Sequence, residues 1–213
     1  MIVGIETGKR RVFAVALEWP GWCRSGRDEE SALETLVAYA PRYAIVAERA
    51  GVDLDPDTSS VEVAERVEGS SATDFGVPYA RYAWDAAQSA PGEWLRTAAL
   101  LAAAYVYFDA VVAVAPAELR KGPRGGGRDR DAIAAHVNGA DVEYGRKLGL
   151  ARWKLEEAST AEIARRRGMV VDVVRSATDG SPRVEKGWNL RYAARRGIWH
   201  VLDHAWEIED RSR

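Results

Sequence analysis

The sequence predicts an α+β protein, with a small N-terminal β-β-α-β domain followed by a C-terminal four-helix bundle. Three features of the pattern predict it. Short apolar runs alternate with turn residues over positions 1–69, and a connection rich in Gly, Ser, Ala and Pro follows at 70–91. From residue 92 to residue 213 the apolar residues recur at helical spacing. A chain of 213 residues is long enough for two small domains, so these three segments become the predicted domain, linker and bundle.

The N-terminal domain is predicted from its short apolar segments. Residues 2–5 and 12–17 are typical of two strands joined as a hairpin. Apolar positions within 32–40 recur with the period of a helix, which Pro41 is expected to interrupt or kink. Alternating residues at 60–67 favour a half-exposed strand. The predicted order is therefore β-β-α-β.

The linker and the bundle are predicted from composition and periodicity. The linker at 70–91 carries several aromatic side chains, so we expect it to dock against one domain or the other. Amphipathic helices need partners that cover their apolar stripes, and four such helices favour a bundle. Gly and Pro clusters separate the predicted helices, which cover residues 93–114, 129–148, 155–174 and 189–210.

The composition is ordinary for a soluble globular protein and excludes several functional classes. There are 30 Lys and Arg residues against 32 Asp and Glu, a net charge of −2, which argues against nucleic acid as a partner. The longest apolar run, 98–108, is too short for a membrane helix, and the N-terminus lacks a signal-peptide pattern. A single cysteine, Cys23, allows no intrachain disulfide. We expect a cytoplasmic protein with no membrane partner.

The three histidines are the main functional signal in the sequence. His200 and His204 are four residues apart in a predicted helix, so both project from one face, a single turn apart. His136 lies in the second predicted helix, among small and apolar neighbours. Three imidazoles can hold a divalent metal ion and leave one position open for water or substrate. Zinc and nickel are the leading candidates, ahead of iron and manganese, although histidine pairs at this spacing also occur on helices that bind no metal.

The order of these histidines resembles the DinB/YfiT-like superfamily. A histidine in the second helix and a final helix with two histidines four residues apart carry the resemblance, which covers residues 92–213. It implies that His136, His200 and His204 are metal ligands in a DinB-like four-helix bundle. It also implies a metal-dependent thiol S-transferase or isomerase that uses a low-molecular-weight thiol, such as mycothiol, bacillithiol or glutathione, and acts on an electrophilic substrate.

The N-terminal domain is similar to a HicB-type fold. Residues 11–67 contain a strand, a Pro-Gly turn, an acidic helix start and an apolar helix in the order of that fold. We interpret this domain as a scaffold or a dimerisation element, so a homodimer is expected. An alternative for the whole chain is a regulatory or interaction protein, in which the HicB-like domain binds a partner and the bundle senses metal or is purely structural.

Charged residues near the histidines complete the predicted site. Glu207 lies one turn beyond His204, where it can orient an imidazole or accept a proton near bound water; a solvated carboxylate paired with an arginine fits equally well. A basic, glycine-rich loop leads into the helix that carries the first histidine. There, Arg124, Arg128 and Arg130 are candidates for binding the carboxylate of a thiol cofactor or an organic acid, with a solvated loop as the alternative.

Overall fold

The computed structural model describes residues 1–54, 60–122, 126–155 and 158–212, and over these residues the protein is α+β, as predicted. Four strands form one sheet, and the long helices follow it in sequence. The strands are β1 (Ile2–Thr7), β2 (Val12–Ala16), β3 (Cys23–Gly26) and β4 (Glu62–Glu68). The helices are α1 (Glu29–Ala38), α2 (Ala40–Arg49), α3 (Ser71–Asp74), α4 (Ala83–Ala86), α5 (Glu93–Val114), α6 (Arg130–Lys147), α7 (Thr160–Arg175) and α8 (Leu190–Arg211).

The sheet has the strand order β3-β2-β1-β4. β1 pairs with β2 and β2 with β3 in antiparallel register, whereas β1 pairs with β4 in parallel. A parallel pair needs a crossover connection, and α1 and α2 supply it. Asp28 caps α1 by accepting a hydrogen bond of 2.9 Å from the backbone N–H of Ser31. The buried residues Ala32 and Leu36 lie on this helix, which packs on β2 and β3.

The predicted order β-β-α-β is wrong in two details, because the structure has three strands and two helices before β4. The extra strand, β3, is four residues long and mostly polar, too short to give a periodic signal. The extra helix arises at Pro41, which lies in the first turn of α2. Proline fits there, since its missing N–H would have no partner within the helix. The helix is therefore interrupted next to Pro41, as expected, and the interruption is the start of a second helix and not a kink in the first.

The segment predicted as a docked linker is held by buried polar contacts. The carboxylate of Glu6, fully buried in β1, accepts hydrogen bonds from the hydroxyl of Thr73 (2.5 Å) and the backbone N–H of Ala80 (2.9 Å). Asp85 forms a buried ion pair of 2.7 Å with Arg195 of α8. These contacts join the linker both to the sheet and to the last helix.

The four long helices lie close to their predicted positions. The bounds of α5 agree with the prediction, and those of α6 and α8 differ from it by one residue at each end. α7 begins five residues later than predicted, at Thr160. Its start is fixed by a capping box, in which Ser159 and Glu162 satisfy each other's backbone N–H groups.

α5 is the central helix of this half of the protein. It packs against α2, α7 and α8, while α6 packs against α8. α5 is long and apolar enough to cross a membrane by length and composition, although more than half of its most apolar stretch is buried inside the protein. The core helix of a soluble protein meets the same criterion. The cytoplasmic location stays a prediction.

One face of the sheet packs directly against α8. The rings of Phe13 and Trp199 meet edge to face, with centroids 6.3 Å apart. Gly21, with φ of +91°, lies against Ile198, where an added Cβ would come within 2.2 Å of a side-chain carbon. Buried apolar side chains of the sheet and of the long helices form a continuous cluster. The division into domains at 1–69 and 92–213 stays a prediction, and hydrophobic contacts run across it.

Candidate metal centre

α6 and α8 bring the three histidines together. His200 and His204 are one turn apart on α8, and His136 comes from α6, which packs on that helix. The Nε2 atoms of His136 and His200 are 3.2 Å apart, and one ring nitrogen from each of the three histidines lies within 4.8 Å of the others. Two nitrogens bound tetrahedrally to one zinc ion are about 3.3 Å apart. This group, called the histidine cluster below, has the donors and the approximate spacing for one divalent ion.

Two histidines of the cluster are held in the form that binds metal. His200 is 7% exposed, and this burial lowers its pKa to about 2. Burial also lowers the pKa of His136, with smaller contributions from His204 and Arg128. Both rings are therefore neutral at pH 7, and a metal ion needs to displace no proton from them.

Glu207 fixes the orientation of His204. One carboxylate oxygen lies 2.8 Å from Nδ1 of His204, and the other accepts a hydrogen bond of 2.6 Å from Arg211. Burial raises the pKa of Glu207, but these two contacts outweigh it and hold the pKa below its usual value. With Nδ1 engaged, Nε2 of His204 remains for a metal ion. The sequence left open whether Glu207 orients an imidazole or pairs with an arginine. In the structure it makes both contacts.

The three arginines predicted to bind an anion differ in their surroundings. Arg124 lies outside the described residues. The guanidinium of Arg130 donates to the carbonyl of Ala115 (2.8 Å) and pairs with Asp131 (2.7 Å), so it is engaged in local contacts. Arg128 is exposed, and its charge helps lower the pKa of His136 and of a second histidine of the cluster. Of the two described arginines, Arg128 is the one whose charge acts on the cluster.

The single thiol of the chain belongs to the core. Cys23 is buried at the start of β3, and burial raises the pKa of its thiol well above the ordinary value. A thiol in that state is a poor nucleophile. The reactive sulfur of a thiol reaction would have to come from a bound small molecule.

Sequence reasoning missed a second layer of residues around the cluster. The ring of Tyr144, on α6, stands edge-on to His200, with centroids 5.6 Å apart, and Trp188 packs on Tyr144 at 5.4 Å. Arg196 donates a hydrogen bond of 3.1 Å to the hydroxyl of Tyr144. Arg196 precedes His200 by four residues, so helical spacing alone could have placed it on the histidine face. For the aromatic residues, no comparable sequence signal exists.

Comparisons with other proteins identify no family for this chain. The chain matches no protein-family model, and neither curated proteins nor solved structures give a match. The likenesses to the DinB/YfiT-like superfamily and to the HicB-type fold therefore remain expectations. The argument for a site depends on the geometry of the histidine cluster.

Proposed function

We propose that the protein is a metal-dependent enzyme of the DinB-like class, a thiol S-transferase or isomerase that uses a three-histidine site. The observation that carries this proposal is the convergence of ring nitrogens from His136, His200 and His204 within 4.8 Å. The donors are imidazoles, which suit zinc or nickel first and also iron or manganese. A divalent ion bound there would supply the positive charge that lowers the pKa of a thiol or water beside it.

The surrounding residues support this chemistry by holding the donors in place. Glu207 keeps its charge and fixes the ring of His204, as carboxylates commonly do for ligating histidines. Both of its oxygens are engaged, so we assign it first a positioning role. Its use as a proton acceptor remains a prediction. Arg128, and Arg124 and Arg130 by prediction, would draw an anionic thiol cofactor such as glutathione or bacillithiol toward the site.

The architecture proposed for this enzyme is a DinB-like four-helix bundle of α5 to α8, joined to a HicB-like N-terminal domain. Mutual packing among α5, α6, α7 and α8 supports the bundle. The N-terminal sheet would act as a scaffold for α8, because Phe13 of β2 packs edge to face on Trp199 of that helix. A homodimer in the cytoplasm is part of the same proposal.

The test is metal-dependent thiol transfer. Protein purified without a histidine tag is loaded with zinc or nickel and mixed with glutathione, bacillithiol or mycothiol and chlorodinitrobenzene. A carbon–sulfur bond forms, chloride leaves, and the thiol proton passes to the solvent. We expect thioether formation that chelation abolishes and that His200→Ala lacks.

The Asp203→Asn variant is the control, because it changes a neighbouring side chain on α8 and leaves all three imidazoles in place. Equal rates in chelated and metal-loaded protein would contradict the proposal. Absence of transfer with every thiol, combined with capture of one specific protein partner, would favour the regulatory alternative.

A further inference from the structure

Arg196 differs from the other buried arginines of the described chain. Four arginines are at most 6% exposed, namely Arg167, Arg191, Arg195 and Arg196. The first three each pair with at least one carboxylate, at distances from 2.6 to 3.4 Å. No carboxylate among the described residues pairs with Arg196. A buried guanidinium without a counterion is costly, which makes this exception informative.

The contacts of Arg196 leave most of its hydrogen-bonding capacity unused. One terminal nitrogen donates to the hydroxyl of Tyr144 at 3.1 Å, and the guanidinium carbon lies 4.7 Å from the ring centroid of Trp199. The aromatic ring offsets part of the burial cost through cation–π attraction. Nε and Nη1 are buried and have no hydrogen-bond partner among the described residues. Within the described part of the chain, two donors of a permanent cation therefore have no acceptor.

Arg196 is located beside the histidine cluster. Residues 196, 200 and 204 are spaced by four on α8, so they share one helix face. Tyr144 links them, since its hydroxyl contacts the guanidinium and its ring packs on His200. The guanidinium of Arg196 thus adjoins the place where a metal ion would bind.

The charges around the cluster are predominantly positive. Glu207 is already shared between His204 and Arg211, and Arg128 adds a further positive charge nearby. A divalent ion would add two more. In a partly buried site such an excess is relieved by a bound anion more readily than by water.

We propose that Arg196 binds a carboxylate of the substrate, so that the site takes small thiols that carry a carboxylate group. This inference rests on the proposed function, because it places that carboxylate next to a thiol at the metal. Nε and Nη1 are closed off from solvent in the structure. Tyr144 is the partly exposed side chain that contacts the guanidinium, and it must move aside when the carboxylate binds.

The test compares two thiols of almost identical size and different charge. Protein loaded with cobalt(II) is titrated with mercaptoacetate and with its uncharged amide, mercaptoacetamide, and binding is followed by the visible cobalt absorption. A charge-assisted hydrogen bond is worth about 1.5–3 kcal/mol, so we expect wild-type protein to prefer mercaptoacetate by about 10- to 160-fold. In Arg196→Met this preference should fall to nearly equal affinities, with cobalt binding unchanged.

Further variants separate the possible outcomes. Arg196→Gln removes the charge but keeps a donor for Tyr144, and it replaces Arg196→Met if that variant does not fold. Arg196→Lys should retain part of the preference. Arg146→Met is the matched control, since this exposed arginine of α6 pairs with Glu143, and it should behave as wild type.

The possible results bear on two separate claims, the role of Arg196 and the proposed function. Suppose that the wild type binds cobalt and prefers mercaptoacetate, and that Arg196→Met and Arg196→Gln keep this preference. The assigned role of Arg196 is then wrong, and the proposed function still stands. The same holds if Arg128→Met abolishes the preference instead. A wild-type protein that binds no cobalt at all contradicts the proposed function itself.

Discussion

Replacement of Glu207 by alanine tests how the histidine cluster is held. In the folded protein one oxygen of Glu207 is 2.8 Å from Nδ1 of His204, and the other accepts from Arg211 at 2.6 Å. Without the carboxylate, the ring of His204 loses its fixed orientation and its electron-rich partner. Arg211 also loses its counterion and leaves an unneutralised positive charge on the same helix.

The size of the effect on metal binding follows from the lost contact between Glu207 and His204. Removal of a carboxylate that orients a ligating histidine typically weakens metal binding by about 10- to 100-fold. This corresponds to about 1.4–2.7 kcal/mol of binding free energy. Three imidazoles remain in Glu207→Ala, so we expect weaker binding and not a complete loss. The metal affinity of Glu207→Gln, which keeps an acceptor oxygen, should lie between that of Glu207→Ala and that of the wild type.

The assay is a competition for zinc between the protein and a chromophoric chelator, with circular dichroism as a check of folding. Asp203→Ala is the matched control, because Asp203 adjoins His204 in sequence but pairs with Arg24 of the sheet. Its zinc affinity should equal that of the wild type. An unchanged affinity in Glu207→Ala, or an equal loss in Asp203→Ala, would refute the assigned role of Glu207.

Three further predictions concern the fold. Gly21→Ala brings a Cβ to 2.2 Å from Ile198 at a φ of +91° and should cost at least about 2 kcal/mol, read as a lower midpoint of thermal unfolding. Asp85→Ala leaves Arg195 buried without its partner and should cost about 3–5 kcal/mol in urea unfolding; a smaller loss than in an exposed-site control would contradict this. Burial raises the pKa of Asp141 to about 7. Between about pH 4 and pH 7 the folded state therefore holds a proton that the unfolded chain releases. The contribution of this group to the free energy of unfolding is lost as the pH rises through that range. Asp141→Asn should flatten that part of the pH profile of unfolding free energy, and an unaltered profile would contradict it.

The long helices could be predicted from sequence because their signals are local. Periodicity and flanking Gly or Pro residues located α5, α6 and α8 to within a residue at each end. β3 could not be predicted, since four residues carry too little periodicity and the strand exists through its pairing with β2. α2 was missed because Pro41 has opposite meanings in the interior of a helix and in its first turn.

The candidate site divides in the same way between local and long-range information. The shared face of His200 and His204 follows from helix geometry alone, whereas the approach of His136 depends on how α6 packs against α8. Arg196 illustrates the limit of sequence reasoning. Its spacing is visible in the sequence, but that two of its buried nitrogens have no hydrogen-bond partner in the described part of the chain is a property of the packed structure. Neither composition nor periodicity carries that information.

The most direct test of the central claim is the metal content of protein purified without a histidine tag, measured by elemental analysis for wild type, His136→Ala and His200→Ala. If ligands from α6 and α8 bind one ion together, the wild type holds about one divalent ion per chain and both variants lose it while remaining folded. A metal-free wild type that takes up none on addition, or undiminished metal in His136→Ala and His200→Ala, would contradict it.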